Sequence, residues 1–335
     1  MKDLFKTRKR REPGRDEPTR FFVHIPKTAG TSFRAAAESR FGRSRVLRDY
    51  GLDSNATSDS VREEVYLKKD NSGIERAIAR DNAVLVAGHV PVTKYGSQLG
   101  LPNTIAFFRD PVQQVISHYR HAVRNQGFED GLLAFARLES SRNIQSRLMA
   151  GVDPALLGIV GLTEQYRETL AIVNHCWSWD LRHVKKNVGG RLRLRLLEIN
   201  ARTRERLERL NESDRALYER ARQVFKNSLY CLEHRVERDP RGAITLADSR
   251  SGVRGWALEM GSDAPVEINI RINGRVHSRT HCDLAVSELS RWRLPREGCV
   301  GFRAKNVTLS HGDSVEIRDV RQGLVLARYR VHDDA

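Results

Sequence analysis

The chain has 335 residues, with 58 Lys and Arg against 42 Asp and Glu and a formal net charge of +16; this length suits two domains and is too great for one small one. A hydrophobic content of 39% excludes a disordered or collagen-like chain. The positive excess attracts polyanions, whether a phosphorylated cofactor, an acidic glycan, an anionic membrane face or nucleic acid, although solvated arginine-rich faces account for much of it.

Residues 1–20, MKDLFKTRKRREPGRDEPTR, are charged, punctuated by Pro and Gly, and carry no apolar signal core. They read as a disordered basic arm. Lys6, Arg8, Lys9, Arg10 and Arg11 would attract anionic lipid, so peripheral contact with a membrane stands as an expectation beside a solvated tail. No apolar run is long enough to span a bilayer, and a cytoplasmic protein is expected. Residues 21–25 (FFVHI), 82–87 (NAVLVA) and 104–108 (TIAFF) are buried-strand candidates, and residues 31–40 begin a helix. Further helices are expected over 164–173 and 213–229, the latter capped by Asn211 or Ser213. Strands alternating with helices indicate a parallel sheet with crossover helices.

The texture changes near residue 243. In PVEINIRINGRVHSR, Val266, Ile268, Ile270 and Ile272 alternate and then meet Asn273-Gly274, a pair that accepts the positive φ angles of a type I′ hairpin. SVEIRDVRQGLVLARYRV repeats the pattern with Gly323 in its turn. The expected fold class is therefore α/β: a parallel sheet flanked by helices, followed by a small all-β sandwich. The expected divisions are 1–20, 21–238 and 245–335, with the boundary near 239–248. Cys176, Cys231, Cys282 and Cys299 show neither metal spacing nor a disulfide framework and read as buried thiols in a reducing compartment. Zinc-finger, RNP and helix-turn-helix patterns are missing, so no nucleic-acid partner is expected.

The stretch HIPKTAGTSF carries the chemistry. A strand runs into Pro26, Lys27, Thr28, Ala29, Gly30, Thr31 and Ser32 and then into a helix. First-turn N–H groups of a helix lack intrahelical partners and, with the helix dipole, attract anions. Ala29 and Gly30 permit close backbone approach, Thr28, Thr31 and Ser32 offer hydroxyls, and Lys27 adds a full charge. A nucleoside-triphosphate loop places its lysine after the second glycine. Here Lys27 precedes Gly30, which suits one phosphate rather than a chain of them.

Residues 24–32 resemble the 5′-phosphosulfate loop of sulfotransferases that use 3′-phosphoadenosine 5′-phosphosulfate (PAPS), closest to the group containing heparan sulfate 2-O-sulfotransferase and its bacterial relatives. FFRDPVQQVISHYRHA (107–122) resembles the family's 3′-phosphate segment, which implies that Arg109 and Ser117 bind that phosphate. Arginine offers a planar fork for such oxygens; a capped helix with a salt-bridged arginine is the structural alternative. VLVAGHVP (84–91) resembles the segment whose histidine is the family's general base, which implies that role for His89, against a purely structural histidine at a strand end. NIQSRLMAG and GLTEQYRETLAIV also resemble family segments, without an assignable role for Asn143 and Gln145; Glu164 and Arg167 read as an intrahelical pair. HVKKNVGGR (183–191) matches a basic family loop weakly through Lys185 and Lys186.

The resemblance implies sulfuryl transfer from PAPS without a metal. A basic cleft would suit an acidic glycan, polysaccharide or glycolipid as the carbohydrate acceptor. The Gly-Trp-Ala segment around Trp256 resembles β modules attached to polysaccharide-building enzymes; Trp256 reads as a core anchor with sugar stacking as the alternative. Three other readings stand beside this one: a non-catalytic adaptor that binds polyanions or glycans, a nucleotide kinase-like phosphotransferase, and sulfation of protein tyrosine, whose phenol needs less help from a base.

Overall fold

The computed structural model of the chain describes residues 17–69, 72–183 and 199–332. The chain divides into two compact units; the main division falls between Phe225 and Lys226, and Gly100–Pro102 groups with the second unit.

In the first unit, β1 (Arg20–Val23), α1 (Gly30–Phe41), β2 (Val46–Asp49), α2 (Asp59–Val61), α3 (Gly73–Asp81), β3 (Leu85–Gly88), α4 (Gly96–Leu99) and β4 (Thr104–Phe108) follow in order. They lead into α5 (Pro111–Gln126), α6 (Leu132–Arg137), α7 (Ile144–Met149), β5 (Ile159–Leu162), α8 (Tyr166–Trp177), α9 (Ala201–Leu210) and α10 (Glu212–Glu233), within which the division falls after Phe225. The five strands form one parallel sheet in the order β2-β3-β1-β4-β5. Because helices cover both faces, the strands are apolar throughout: Phe21, Phe22, Val23, Leu85, Val86, Ile105, Phe107 and Phe108 are all fully buried.

Element ends differ from the sequence expectation for local reasons. β1 stops at Val23 because the Ile25 N–H turns back onto the Val23 carbonyl at 3.0 Å. Asn82 belongs to the end of α3, where it takes the left-handed conformation at φ 47°, and β3 starts only at Leu85. Glu164 sits in a short 3₁₀ turn before α8, and its carboxylate accepts the Asp110 N–H at 3.0 Å rather than pairing within the helix. Asn211 accepts the Asn143 N–H at 2.9 Å with its side chain, so its amide is committed to α7. Lys185, Lys186 and residues 1–16, including the basic cluster, lie outside the described residues.

α5 forms as its sequence dictates. Asp110 caps it by accepting the Gln113 N–H at 2.9 Å, Pro111 takes the first position, and Gly127 ends it at φ 66°. Val112, Val115, Ile116 and Ala122 are buried on one side with Phe135, Ala136 and Leu207.

In the second unit, β6 (Asp239–Asp248), β7 (Gly252–Met260), β8 (Val266–Ile272), β9 (Arg275–Cys282), β10 (Leu284–Ala285), β11 (Cys299–Ala304), β12 (Ser314–Asp319) and β13 (Val325–Arg330) make two antiparallel sheets, ordered β10-β11-β7-β6 and β13-β12-β8-β9. The stretch read as a boundary is itself β6. Val253, Ala257 and Phe302 from one sheet pack with Ile268, Ile270, Val315 and Ile317 from the other in one core, which makes the unit a β sandwich. Asn273 and Gly274 turn the β8–β9 hairpin at φ 47° and 80°, as a type I′ turn requires. Trp256 is 3% exposed, so its ring offers no open face to a sugar. None of the four cysteines forms a disulfide; Cys231 and Cys282 are buried as expected, whereas Cys299 is half-buried and Cys176 exposed.

Candidate active site

The site gathers at the carboxyl ends of β1, β3 and β4. Connections from β1 and β4 leave toward opposite edges of the sheet, and the crevice between such strands is where open α/β sheets hold ligands. Register brings the pieces together. Val23 pairs with Gly88 of β3 and with Ala106 of β4, so His24 and His89 emerge side by side and Arg109 comes level with the loop that follows β1. The two imidazole centroids are 4.4 Å apart.

The loop is held open by hydrogen bonds to its carbonyls. Arg109 Nη1 donates to the Lys27 carbonyl at 3.0 Å, Gln114 Nε2 to the Pro26 carbonyl at 3.1 Å, and Thr28 Oγ1 to the Ile25 carbonyl at 2.9 Å. Lys27 and Ala29 both adopt left-handed backbone, at φ 66° and 69°. Alternating hands of this kind turn successive N–H groups into one concavity that suits an anion. Among the described residues, the N–H groups of Lys27, Thr28, Ala29, Gly30 and Thr31 donate to no protein acceptor. Gly30 is required by packing: a Cβ there would fall 2.1 Å from His24 Cδ2. Thr28 departs from the sequence reading, because its buried hydroxyl spends its proton on Ile25; Thr31 is exposed and Ser32 half-buried.

Burial first, and then the neighbouring cations Arg109 and Arg124, draw the Lys27 ammonium below its usual range. An anion relieves such a cluster. Arg109 is fixed from behind by Gln145, whose Oε1 accepts the Arg109 N–H at 3.0 Å and whose Nε2 donates to the Arg109 carbonyl at 2.9 Å. Arg109 Nε is buried and without a hydrogen-bond partner among the described residues. Ser117 lies half-buried on α5, two turns beyond Pro111, and no described contact ties it to the loop.

His89 is exposed, and its Nδ1 lies 2.5 Å from the His24 carbonyl oxygen. A carbonyl only accepts, so Nδ1 carries the proton and the neutral ring keeps its lone pair on Nε2. Desolvation by the surrounding groups lowers the His89 pKa, the bond to His24 raises it, and the charges of Arg34 and Lys27 lower it further; the result lies below the ordinary imidazole value. The ring is therefore neutral at physiological pH. His24 is held neutral more strongly, by burial and then by His89, Arg34 and Lys27. Its Nδ1 meets the Tyr50 hydroxyl at 2.8 Å, and Arg34 Nη1 donates to that hydroxyl at 2.8 Å.

Sequence reasoning missed a second support. The Asp49 carbonyl accepts the His89 N–H at 3.1 Å. The Asp49 carboxylate is buried and accepts from Lys94 Nζ and the Tyr66 hydroxyl at 2.6 Å each and the Tyr95 hydroxyl at 2.5 Å. Gly88 sits so close to this point that a Cβ would fall 2.2 Å from the Asp49 carbonyl oxygen. Asp49, Tyr66 and Lys94 are far apart in sequence, and no local spacing signals their meeting.

No protein-family model matches the chain, and no curated protein matches it. Among solved structures, the crystal structure of a sulfotransferase from Alicyclobacillus acidocaldarius is similar over 65% of this chain and 99% of that one, at 16% identity and a TM-score of 0.36. Among the described residues no group of three or more His, Cys, Asp or Glu is arranged to hold a metal ion, and no helix is long and apolar enough to cross a membrane.

Proposed function

We propose that the chain is a cytoplasmic sulfotransferase of the heparan sulfate 2-O-sulfotransferase-like group, moving a sulfuryl group from PAPS to a hydroxyl of a carbohydrate acceptor. The observation that carries this reading is the loop: five successive N–H groups without protein acceptors, closed by Lys27, beside a neutral histidine whose Nε2 is free to accept a proton. Pro26, Lys27, Thr28, Ala29, Gly30, Thr31 and Ser32 cradle the 5′-phosphosulfate. Arg109, whose Nε has no partner, and Ser117 take the 3′-phosphate.

The step balances as an in-line transfer. His89 Nε2 takes the acceptor hydroxyl proton as the acceptor oxygen bonds to sulfur. The bond from sulfur to the leaving phosphate oxygen breaks, and Lys27 meets the negative charge that grows there. The products are the desulfated nucleotide and the sulfated acceptor. The reading favours a cell-surface polysaccharide or glycolipid as acceptor.

The test is calorimetric binding of 3′-phosphoadenosine 5′-phosphate to wild type and to Arg109→Ala, without magnesium. Micromolar binding that is lost in the variant is expected. Absence of binding to folded wild type sinks the reading. Binding only with magnesium points to a phosphotransferase, and glycan binding unchanged by loss of both Lys27 and His89 points to an adaptor.

A further inference from the structure

Gln114, His118, Ala122 and Gln126 recur every four residues and form one stripe along α5. At its upper end Gln114 holds the Pro26 carbonyl. Below it, His118, Ala122 and Gln126 line a cleft of about 560 Å³, bounded across from them by Phe128, Phe135, Ser140 and Ser141. With a rise of about 1.5 Å per residue, His118 stands roughly 6 Å along the helix from Gln114. The cleft thus opens one helical turn from the 26–32 loop. The charge of Lys27 acts on His118, in keeping with that placement.

Two polar atoms of the lining are unused by the fold. His118 Nδ1 and Ser141 Oγ are buried and have no hydrogen-bond partner among the described residues. Ser141 is 1% exposed, and a hydroxyl left unbonded in such a place is costly. Phe128 and Phe135, with ring centroids 5.3 Å apart, add apolar surface. Apolar faces beside a few placed hydrogen-bonding groups suit a sugar ring, which presents C–H faces and hydroxyls together. The lining residues include Glu129 and no Lys or Arg. His118 does not compensate, because burial, with the charge of Lys27, pushes its pKa down to about 4.

We infer that this cleft seats an uncharged sugar residue of the acceptor, with His118 Nδ1 and Ser141 Oγ bonded to its hydroxyls. The inference rests on the transferase reading for its purpose and narrows it: acidic groups of a glycan acceptor lie outside this cleft. His118 and Ser141 are binding residues here and take no part in the transfer step.

The experiment titrates folded wild type with a panel of neutral hexose oligosaccharides and with hexuronate oligosaccharides of equal length, in the presence of 3′-phosphoadenosine 5′-phosphate. The same titrations are run on Ser141→Ala and on Ser140→Trp, which fills the cleft mouth from an exposed position. Neutral oligosaccharide binding is expected in wild type, about tenfold weaker or worse in both variants and for hexuronates. Nucleotide affinity is expected to be the same in all three proteins. No neutral oligosaccharide binding, binding unchanged in Ser140→Trp, or tighter hexuronate binding overturns the inference. Loss of nucleotide binding in wild type instead sinks the transferase reading, and the sugar titration alone still judges the cleft.

Discussion

Lys27 and Ala29 hold left-handed backbone without being glycine, at a cost of about 1–2 kcal/mol each. The bonds from Arg109, Gln114 and Thr28 to the neighbouring carbonyls offset that cost. If Lys27 meets charge that grows during transfer, only the growing part speeds the reaction. Lys27→Ala is then expected to lower kcat on the order of a hundredfold while changing nucleotide affinity less, as read from steady-state kinetics beside calorimetry. Equal losses in both would assign Lys27 to binding alone. On the proposed reading His89 is the base, a role that requires the neutral ring. Since its pKa lies below 6.5, the rate is expected to rise with pH through a midpoint under 6.5 and level off above it. His89→Asn should remove that limb and reduce kcat by about 10²–10⁴. A limb centred above 6.5 in wild type would contradict the assignment.

At the scale of elements, α5 links the fold to the site. Its cap sets where the first turn begins, and that turn delivers Gln114 to the Pro26 carbonyl. Asp110→Ala removes the bond to the Gln113 N–H and is expected to cost about 1 kcal/mol of stability, measured by urea unfolding. The same variant should weaken nucleotide binding, because Arg109 precedes the cap directly. Unchanged stability would mean that Pro111 and Gln145 suffice to set the helix start. β3 shows the same coupling. Its last residue, Gly88, fits only without a side chain, and the backbone that excludes one also holds the His89 N–H.

For the whole molecule, three histidines held neutral by their surroundings set the response to acid. His24, His89 and His118 all have folded pKa values depressed below 6.5, with His118 near 4. Such groups bind fewer protons folded than unfolded between the two values, so stability rises with pH across that window. The contribution is present in full above about 6.5 and is lost as pH falls toward 4. Asp49, whose pKa is lowered, loses its contribution only in stronger acid. Hydrogen exchange at β1 and β3 amides, followed from pH 7 to 4 and corrected for intrinsic rates, should show falling protection. His118→Phe should flatten part of that fall. Protection independent of pH would mean that these rings charge without cost.

Much of this protein follows from local sequence. The FFV and TIAFF runs are apolar because both faces of a parallel sheet are covered, Asp110-Pro111 starts a helix, and Asn273-Gly274 turns a hairpin. Each depends on residues near one another in the chain, and their spacing reports it. The anion-suited loop was legible for the same reason, since Lys27 to Ser32 are contiguous. Strand register alone decided the rest. It set His24 against His89, fixed the His89 tautomer through a carbonyl 65 residues away, and turned Gln145 into the clamp on Arg109. It also buried Asp49 among Tyr66, Tyr95 and Lys94. Such contacts join positions whose separation along the chain carries no period, and only the folded sheet brings them within hydrogen-bonding distance.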